Sequence, residues 1–111
     1  MASRRKEHQE DAKFKVFQII NENPHMTTRE IAQKVGISNE SAYYLLTSLI
    51  DMGFIKLSNF KESLQKIKYS YLLTPKGILE KSLVSSKFLV RKKQEFEQLK
   101  KEIIELERDI G

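Results

Sequence analysis

The side chains in this sequence best suited to chemistry form hydrogen bonds and carry positive charge. Asn39, Tyr43 and Thr47 recur four residues apart, which places them on one side of a helix, with Tyr44 next to them among the outward positions. An Asn amide there can pair with the N6/N7 edge of adenine, and Thr or Tyr can meet a thymine methyl or a phosphate oxygen. Glu40 can accept from cytosine N4, although the positive end of a helix dipole accounts for it equally well. Thr28, Arg29 and Ser38, at the starts of two neighbouring segments, add polar groups to the same surface. Arg29, Lys34, Lys56, Lys61, Lys66 and Lys68 suit phosphates better than bases. The stretch from 39 to 51 has no Arg or Lys, and Tyr43 and Tyr44 could instead pack on a neighbouring element or a partner.

Bond-making chemistry finds little to work with. The two histidines, His8 and His25, fall in a frayed start and a loop, where both are expected to be solvated. There is no cysteine, so thiolate zinc sites and disulfides are excluded. No carboxylates pair in a recognisable site, and the four glycines are scattered and form no phosphate-cradling loop. No enzyme activity, cofactor or metal is expected.

The elements that must hold these residues can be traced from their caps. Thr27-Thr28-Arg29-Glu30 is a capping box that can satisfy the free amides at a helix start. Ile31, Ala32 and Val35 give that helix a short apolar face, and Gly36 ends it where a left-handed residue is required. Ile37 plugs the turn and Ser38 caps a second helix, in which Ala42, Leu45, Leu46, Leu49 and Ile50 share one face. Gly53 stops it. Two short helices joined by a tight turn, the second fixed by one face only, leave the other face free to enter a DNA groove.

After this unit, Phe54 to Leu57 and Ile67 to Leu73 alternate as strands, with Ile67, Tyr69, Tyr71 and Leu73 on one face and a polar link over 58–66. A lysine-bearing hairpin directly after a recognition helix is a wing, placed to follow a phosphate backbone or a minor groove. Before it, a first helix is expected over about 7–21, ended by Asn23-Pro24. Its apolar residues form two faces, Ala12, Val16, Ile19 and Ile20 on one and Phe14 and Phe17 on the other. The Phe face needs a further partner.

The last third predicts one long helix, capped by Thr74 with Pro75 in its first turn. Its first half, with Ile78, Leu79, Leu83, Val84, Phe88, Leu89 and Val90, should be buried on several sides. Its second half narrows to Phe96, Leu99, Ile103, Leu106 and Ile110, the seam of a coiled coil. Phe14, Phe17 and Phe88 together with that seam are the expected dimerisation residues. The flanking charges leave parallel and antiparallel pairing equally open.

The chain has 111 residues, enough for one modest core. Residues 1–93 carry 17 Lys and Arg against 9 Asp and Glu, whereas residues 94–111 carry 3 against 6. The basic body suits a polyanion and the acidic tail does not, so the two parts are expected to do different jobs. No apolar run is long enough to span a bilayer, and Met1 to Lys6 is no secretory leader, so a cytoplasmic protein is expected.

This order of elements resembles the MarR family of winged-helix regulators over about residues 10–80. The matching motifs are Thr28-x-Glu30-Ile31-Ala32, Val35-Gly36-Ile37-Ser38, Leu49-x-x-Met52-Gly53-Phe54-Ile55 and Leu73-Thr74-Pro75-Lys76-Gly77. The run from Tyr69 to Gly77, with Phe88-Leu89-Val90-Arg91-Lys92 and the acidic helix after it, is similar to a short subgroup associated with bacterial exopolysaccharide gene clusters. The resemblance implies a dimeric transcriptional regulator, and the subgroup implies control of surface-polysaccharide genes. Family wings usually carry Asp-x-Arg near the tip, where this chain has Gln65-Lys66-Ile67-Lys68.

The expected architecture is therefore mainly α with a small β-hairpin wing: a winged helix-turn-helix plus a long C-terminal dimerisation helix. It comprises a basic arm over 1–6, a DNA-binding domain over 7–73 (helix-turn-helix 27–53, wing 54–73) and the helix over 74–111. The expected partners are double-stranded DNA and a second copy, without membrane or metal. No high-affinity small-molecule effector is expected, because only the first and last helices are available to build the pocket usual in the family. The alternative is a winged helix used as a protein-interaction module, with the coiled-coil helix as its docking element.

Overall fold

The computed structural model describes the backbone of residues 2–63 and 66–111 and the side chains of residues 8–59 and 69–111. Three helices, α1 (Ala2–Glu22), α2 (Thr28–Val35) and α3 (Asn39–Asp51), precede an antiparallel pair, β1 (Ile55–Ser63) and β2 (Lys66–Leu73). A single helix, α4 (Pro75–Ile110), completes the chain. Helix α1 starts earlier than expected and takes in the backbone of the supposed basic arm, since residues 2–7 contain no Gly or Pro to break it.

The caps form as the residues dictate. The Thr27 hydroxyl accepts from the Glu30 N–H at 3.1 Å while the Glu30 carboxylate accepts from the Thr27 N–H at 3.4 Å, closing the capping box. Gly36 ends α2 with φ at 82°, in the left-handed region where a Cβ would be strained. Ser38 caps α3 by accepting from Ser41 N–H, and Thr74 caps α4 by accepting from Gly77 N–H, each at 3.0 Å.

The core lies where α1, α2, α3 and the foot of the hairpin meet. Val16, Phe17, Ile20, Ile31, Val35, Leu46, Leu49, Phe54 and Ile55 form one buried cluster, flanked by half-buried Ile37, Leu45, Ile50, Tyr71 and Leu73. Phe17 is fully buried and meets the Phe54 ring edge-on at 6.2 Å. It therefore does not belong to the dimerisation face expected of it. A helix only one turn wide can present Phe17 and Val16 to the same core, and that core supplies its partner. Phe14, on the neighbouring side, stacks on Phe88 of α4 with ring centroids 4.3 Å apart. This pair too is satisfied within one chain.

Helix α4 packs on α1 by one side. Besides the Phe14–Phe88 stack, Lys13 pairs with Glu80 at 3.6 Å and Arg91 pairs with Asp11. Gly77 and Val84 are buried on that side. Of the residues in the first half of α4 expected to be buried on several sides, Val84 is buried and Phe88 half-buried, while Ile78, Leu79, Leu83, Leu89 and Val90 are exposed in the single chain, where α1 and the hairpin foot cover one side. The second half projects beyond the domain, giving the molecule a longest dimension of 69 Å.

The hairpin is longer than expected. Segment 58–63 continues β1, so the polar link largely becomes strand, with a register irregularity between Lys61 and Ser63. A two-stranded ribbon projecting into solvent needs no apolar alternation, so Ser58, Asn59, Lys61 and Ser63 gave no strand signal. Tyr71 and Leu73 pack against the core as expected, whereas Tyr69 is exposed. Ile67 lies outside the described side chains.

A candidate nucleic-acid interface

Helix α3 is gripped on one side by buried Ala42, Leu46 and Leu49 and turns the other side outward. Asn39, Glu40, Tyr43, Tyr44 and Asp51 are exposed, and Thr47 and Ser48 are half-buried at the margin. Tyr43 and Tyr44 meet edge to face, with centroids 6.0 Å apart and ring planes at 71°. They are not equivalent. Tyr44, with Ser41 and Ser48, borders a cleft of about 920 Å³ between α1 and α3, whose far wall includes His8 and Lys13. Tyr43 lies outside that cleft and shares its side of α3 with Asn39 and Thr47.

The capping hydroxyls are already engaged. Ser38 accepts from Ser41 N–H and also donates to the Ser41 hydroxyl at 2.9 Å. The Thr28 hydroxyl is 3.1 Å from that of Tyr71, joining the start of α2 to β2. Thr28 and Ser38 thus hold the frame together at the sites where base or phosphate contacts were expected.

Arg29, Lys34 and Lys56 are exposed and have no ion-pair partner among the described residues. They are free to meet an anion. Lys61 and Lys66 pair in the hairpin with Ile67 and Ser63, and Lys68 with Phe60. Their side chains lie outside the described residues. Lys76 is committed elsewhere, donating to the Met52 carbonyl at 2.9 Å and lying 5.2 Å from the Phe54 ring centroid.

Sequence reasoning missed one contributor. His25, exposed as expected, also places Nδ1 2.8 Å from the hydroxyl of Ser70, which is only 5 % exposed. Beside it, Tyr71 N–H donates to the Pro24 carbonyl at 3.0 Å. With the Thr28–Tyr71 contact, these bonds fasten the base of the wing to the loop ahead of α2. The pairing joins residues 45 apart in sequence, and no local pattern announces it.

A helix gripped on one face, preceded by a capped helix and a tight turn and followed by a hairpin, is the geometry of a DNA reader. The family model described as winged helix-turn-helix DNA-binding matches residues 9–56. The chain carries a winged helix-turn-helix. Among curated proteins none matches it. Solved structures that resemble it include MarR-family proteins. Staphylococcus aureus MarR in complex with salicylate and kanamycin is 25% identical, with a TM-score of 0.54, over 75% of this chain and 53% of that one. Streptococcus pneumoniae FabT in complex with DNA is 19% identical, with a TM-score of 0.55, over 75% and 58%. A mutant of S. aureus MepR is 15% identical, with a TM-score of 0.62, and is matched over 100% of this chain and 94% of its own. The winged helix-turn-helix chain spans little more than half the length of the first of these structures. Among the described residues, no helix is long and apolar enough to cross a membrane, and no three His, Asp or Glu side chains gather to hold a metal ion.

Proposed function

We propose that this protein is a sequence-specific transcriptional regulator that binds double-stranded DNA in the cytoplasm as a homodimer and catalyses no reaction. The observation that carries the reading is the outward side of α3, where Asn39 and Tyr43 are exposed and Thr47 is half-buried at the margin, beside a hairpin bearing uncommitted Lys56. Inserted in a major groove, Asn39 reads adenine and Tyr43 and Thr47 meet thymine methyls or phosphates. Arg29, Lys34 and the wing lysines 56, 61, 66 and 68 hold the backbone on either side. The long α4 pairs two copies so that two recognition helices reach successive grooves. The similarity of residues 69–92 to the exopolysaccharide-associated subgroup points to surface-polysaccharide genes as the regulated set.

A second reading is favoured by one observation: α3 exposes an aromatic pair, Tyr43 and Tyr44, and carries no Arg or Lys. A winged domain of that kind suits a protein partner, with α4 as the docking helix. Titrating salt against binding to the DNA upstream of its own gene separates the two. A regulator held by phosphates loses affinity steeply as salt rises. An adaptor shows no such binding at moderate salt, and that result would end the DNA-binding proposal.

A further inference from the structure

Seven of the eleven exposed large apolar residues of α4 lie on one seam that runs the length of the helix, and Leu79, Leu83, Val90 and Ile104 lie beside it. Stepping alternately four and three residues from Ile78 gives Ser82, Ser85, Leu89 and Lys92. The same alternation continues without a break through Phe96, Leu99, Ile103, Leu106 and Ile110. The large apolar members of this seam are between 48% and 88% exposed. The seam is distinct from the side of α4 that packs on α1 through Val84, Phe88 and Arg91. Ten positions in unbroken heptad register on one 36-residue helix are what a helical partner of the same length requires.

The two halves of the seam are complementary in size and charge. The half nearer the winged domain holds two serines and a lysine among its five positions, whereas the far half holds five large apolar side chains. The same asymmetry holds for the whole helix. Residues 75–93 carry six Lys and Arg against one Glu, and residues 94–110 carry three against six Asp and Glu.

We propose that α4 pairs antiparallel with α4 of a second copy over its full length, the two-fold axis passing beside Gln94. This rests on the dimeric reading above and fixes the orientation that the sequence left open. In this register Ser82 lies opposite the partner's Leu106, Ser85 opposite the partner's Ile103, and Leu89 opposite the partner's Leu99. Ile78 meets the partner's Ile110, closing each end. Each of the two serines faces a large apolar residue, so neither of those layers is left thin. Lys92, which in the single chain lies 5.2 Å from its own Phe88 ring centroid and pairs with its own Glu95 at 3.1 Å, stands opposite the partner's Phe96. The basic half of each helix lies along the acidic half of the other, and Lys81 falls beside the partner's Asp109. Only at the axis do like charges meet, Lys93 with its copy and Glu95 with its copy, at the solvent-screened rim.

Parallel pairing fails on the same residues. It would set Ser82 on Ser82 and Ser85 on Ser85, leaving two thin layers, and would bury Lys92 against Lys92. It would also align the basic halves with each other and the acidic halves with each other.

The absence of cysteine makes a direct test available. Full-length protein carrying Ser82→Cys together with Leu106→Cys is oxidised mildly and run on a non-reducing gel, beside each single variant. These two positions are roughly 36 Å apart on one straight helix, so no bond can form within a chain. The double variant is expected to run largely as a covalent dimer, and so is an equimolar mixture of the two single variants. Ser82→Cys alone is expected to stay uncrosslinked. A covalent dimer from Ser82→Cys alone would mean parallel pairing and overturn the proposal. So would an uncrosslinked double variant when sedimentation finds the wild type dimeric, since the dimer would then use another surface. A wild type that sediments as a monomer would remove the dimeric reading itself, and the pairing with it.

Discussion

Gly77 lies so close to Phe54 that a Cβ on Gly77 would stand 1.8 Å from the Phe54 carbonyl oxygen and 2.8 Å from its carbonyl carbon. The same carbonyl accepts from the Thr74 N–H at 3.0 Å, and the Thr74 hydroxyl accepts from Gly77 N–H. One residue pair therefore joins the first turn of α4 to the start of β1, and Lys76 on Met52 extends the joint to the end of α3. The angle between the recognition helix and the long helix is set at this point.

Gly77→Ala should consequently destabilise the protein. The clash is with backbone, which cannot swing aside, so a cost of at least about 1–3 kcal/mol is expected from overpacking. Urea unfolding would measure it, with Lys87→Ala, exposed on the same helix and outside the seam, as control. Equal midpoints for the two variants would mean that the joint can open without loss.

The legible parts of this molecule were those whose causes are local. Thr27 with Glu30, Gly36, Ser38, Gly53 and the Thr74-Pro75 pair each mark a boundary by chemistry within four residues, and α2, α3 and the start of α4 fall where they direct. The apolar face of α3 was equally readable, because helical spacing alone defines it. Misreadings arose where one helix serves two neighbours. Phe14 and Phe17 are adjacent in the pattern, but one stacks on Phe88 and the other fills the winged core, a division only the packing of α1 against α4 decides. The bond from His25 to Ser70 and the early start of α1 likewise left no signature in residue type. Of the site, the outward residues of α3 could be named in advance. The engagement of the Thr28 hydroxyl by Tyr71 could not.

The wing and the recognition helix should fail in different ways. Replacing Lys61, Lys66 and Lys68 by Ala should weaken binding to every DNA sequence and flatten the salt dependence by about one unit of slope per lost phosphate contact. Asn39→Ala or Tyr43→Ala should instead change the ranking of operator variants, by about 1–3 kcal/mol at the affected base pair. Fluorescence anisotropy over a salt series with a panel of operator mutants would read both effects. An unchanged slope in the triple variant would exclude the hairpin from the DNA contact.

His25 should matter through Ser70. Removing the imidazole leaves a buried hydroxyl without the bond it makes at 2.8 Å, and a buried polar group stripped of its partner costs about 1–3 kcal/mol. Removing both partners should cost less than the two single losses added together, because no unpaired group then remains. A double-mutant cycle of His25→Ala with Ser70→Ala, followed by unfolding, is the measurement. Amide exchange at Tyr71, whose N–H reaches Pro24, should quicken in His25→Ala. Strictly additive losses would show that the contact does not hold the wing.

The seam should couple assembly to DNA binding. Leu99 and Ile103 are 55% and 48% exposed in the single chain and far from the winged core, so changing them leaves that core intact. Asp at both positions would put four carboxylates into the paired interface, opposite the partner's Leu89 and the partner's Ser85, where burying charge is costly. The variant is expected to sediment as a monomer with unchanged thermal unfolding of its winged domain. Its affinity for a two-half-site operator should fall by about 10²–10⁴-fold, because the second half-site is then no longer bound intramolecularly. Affinity for an isolated half-site should not change. That contrast separates loss of assembly from damage to the reader: equal losses on the full operator and the half-site would place the seam's role in the fold, not in pairing two recognition helices.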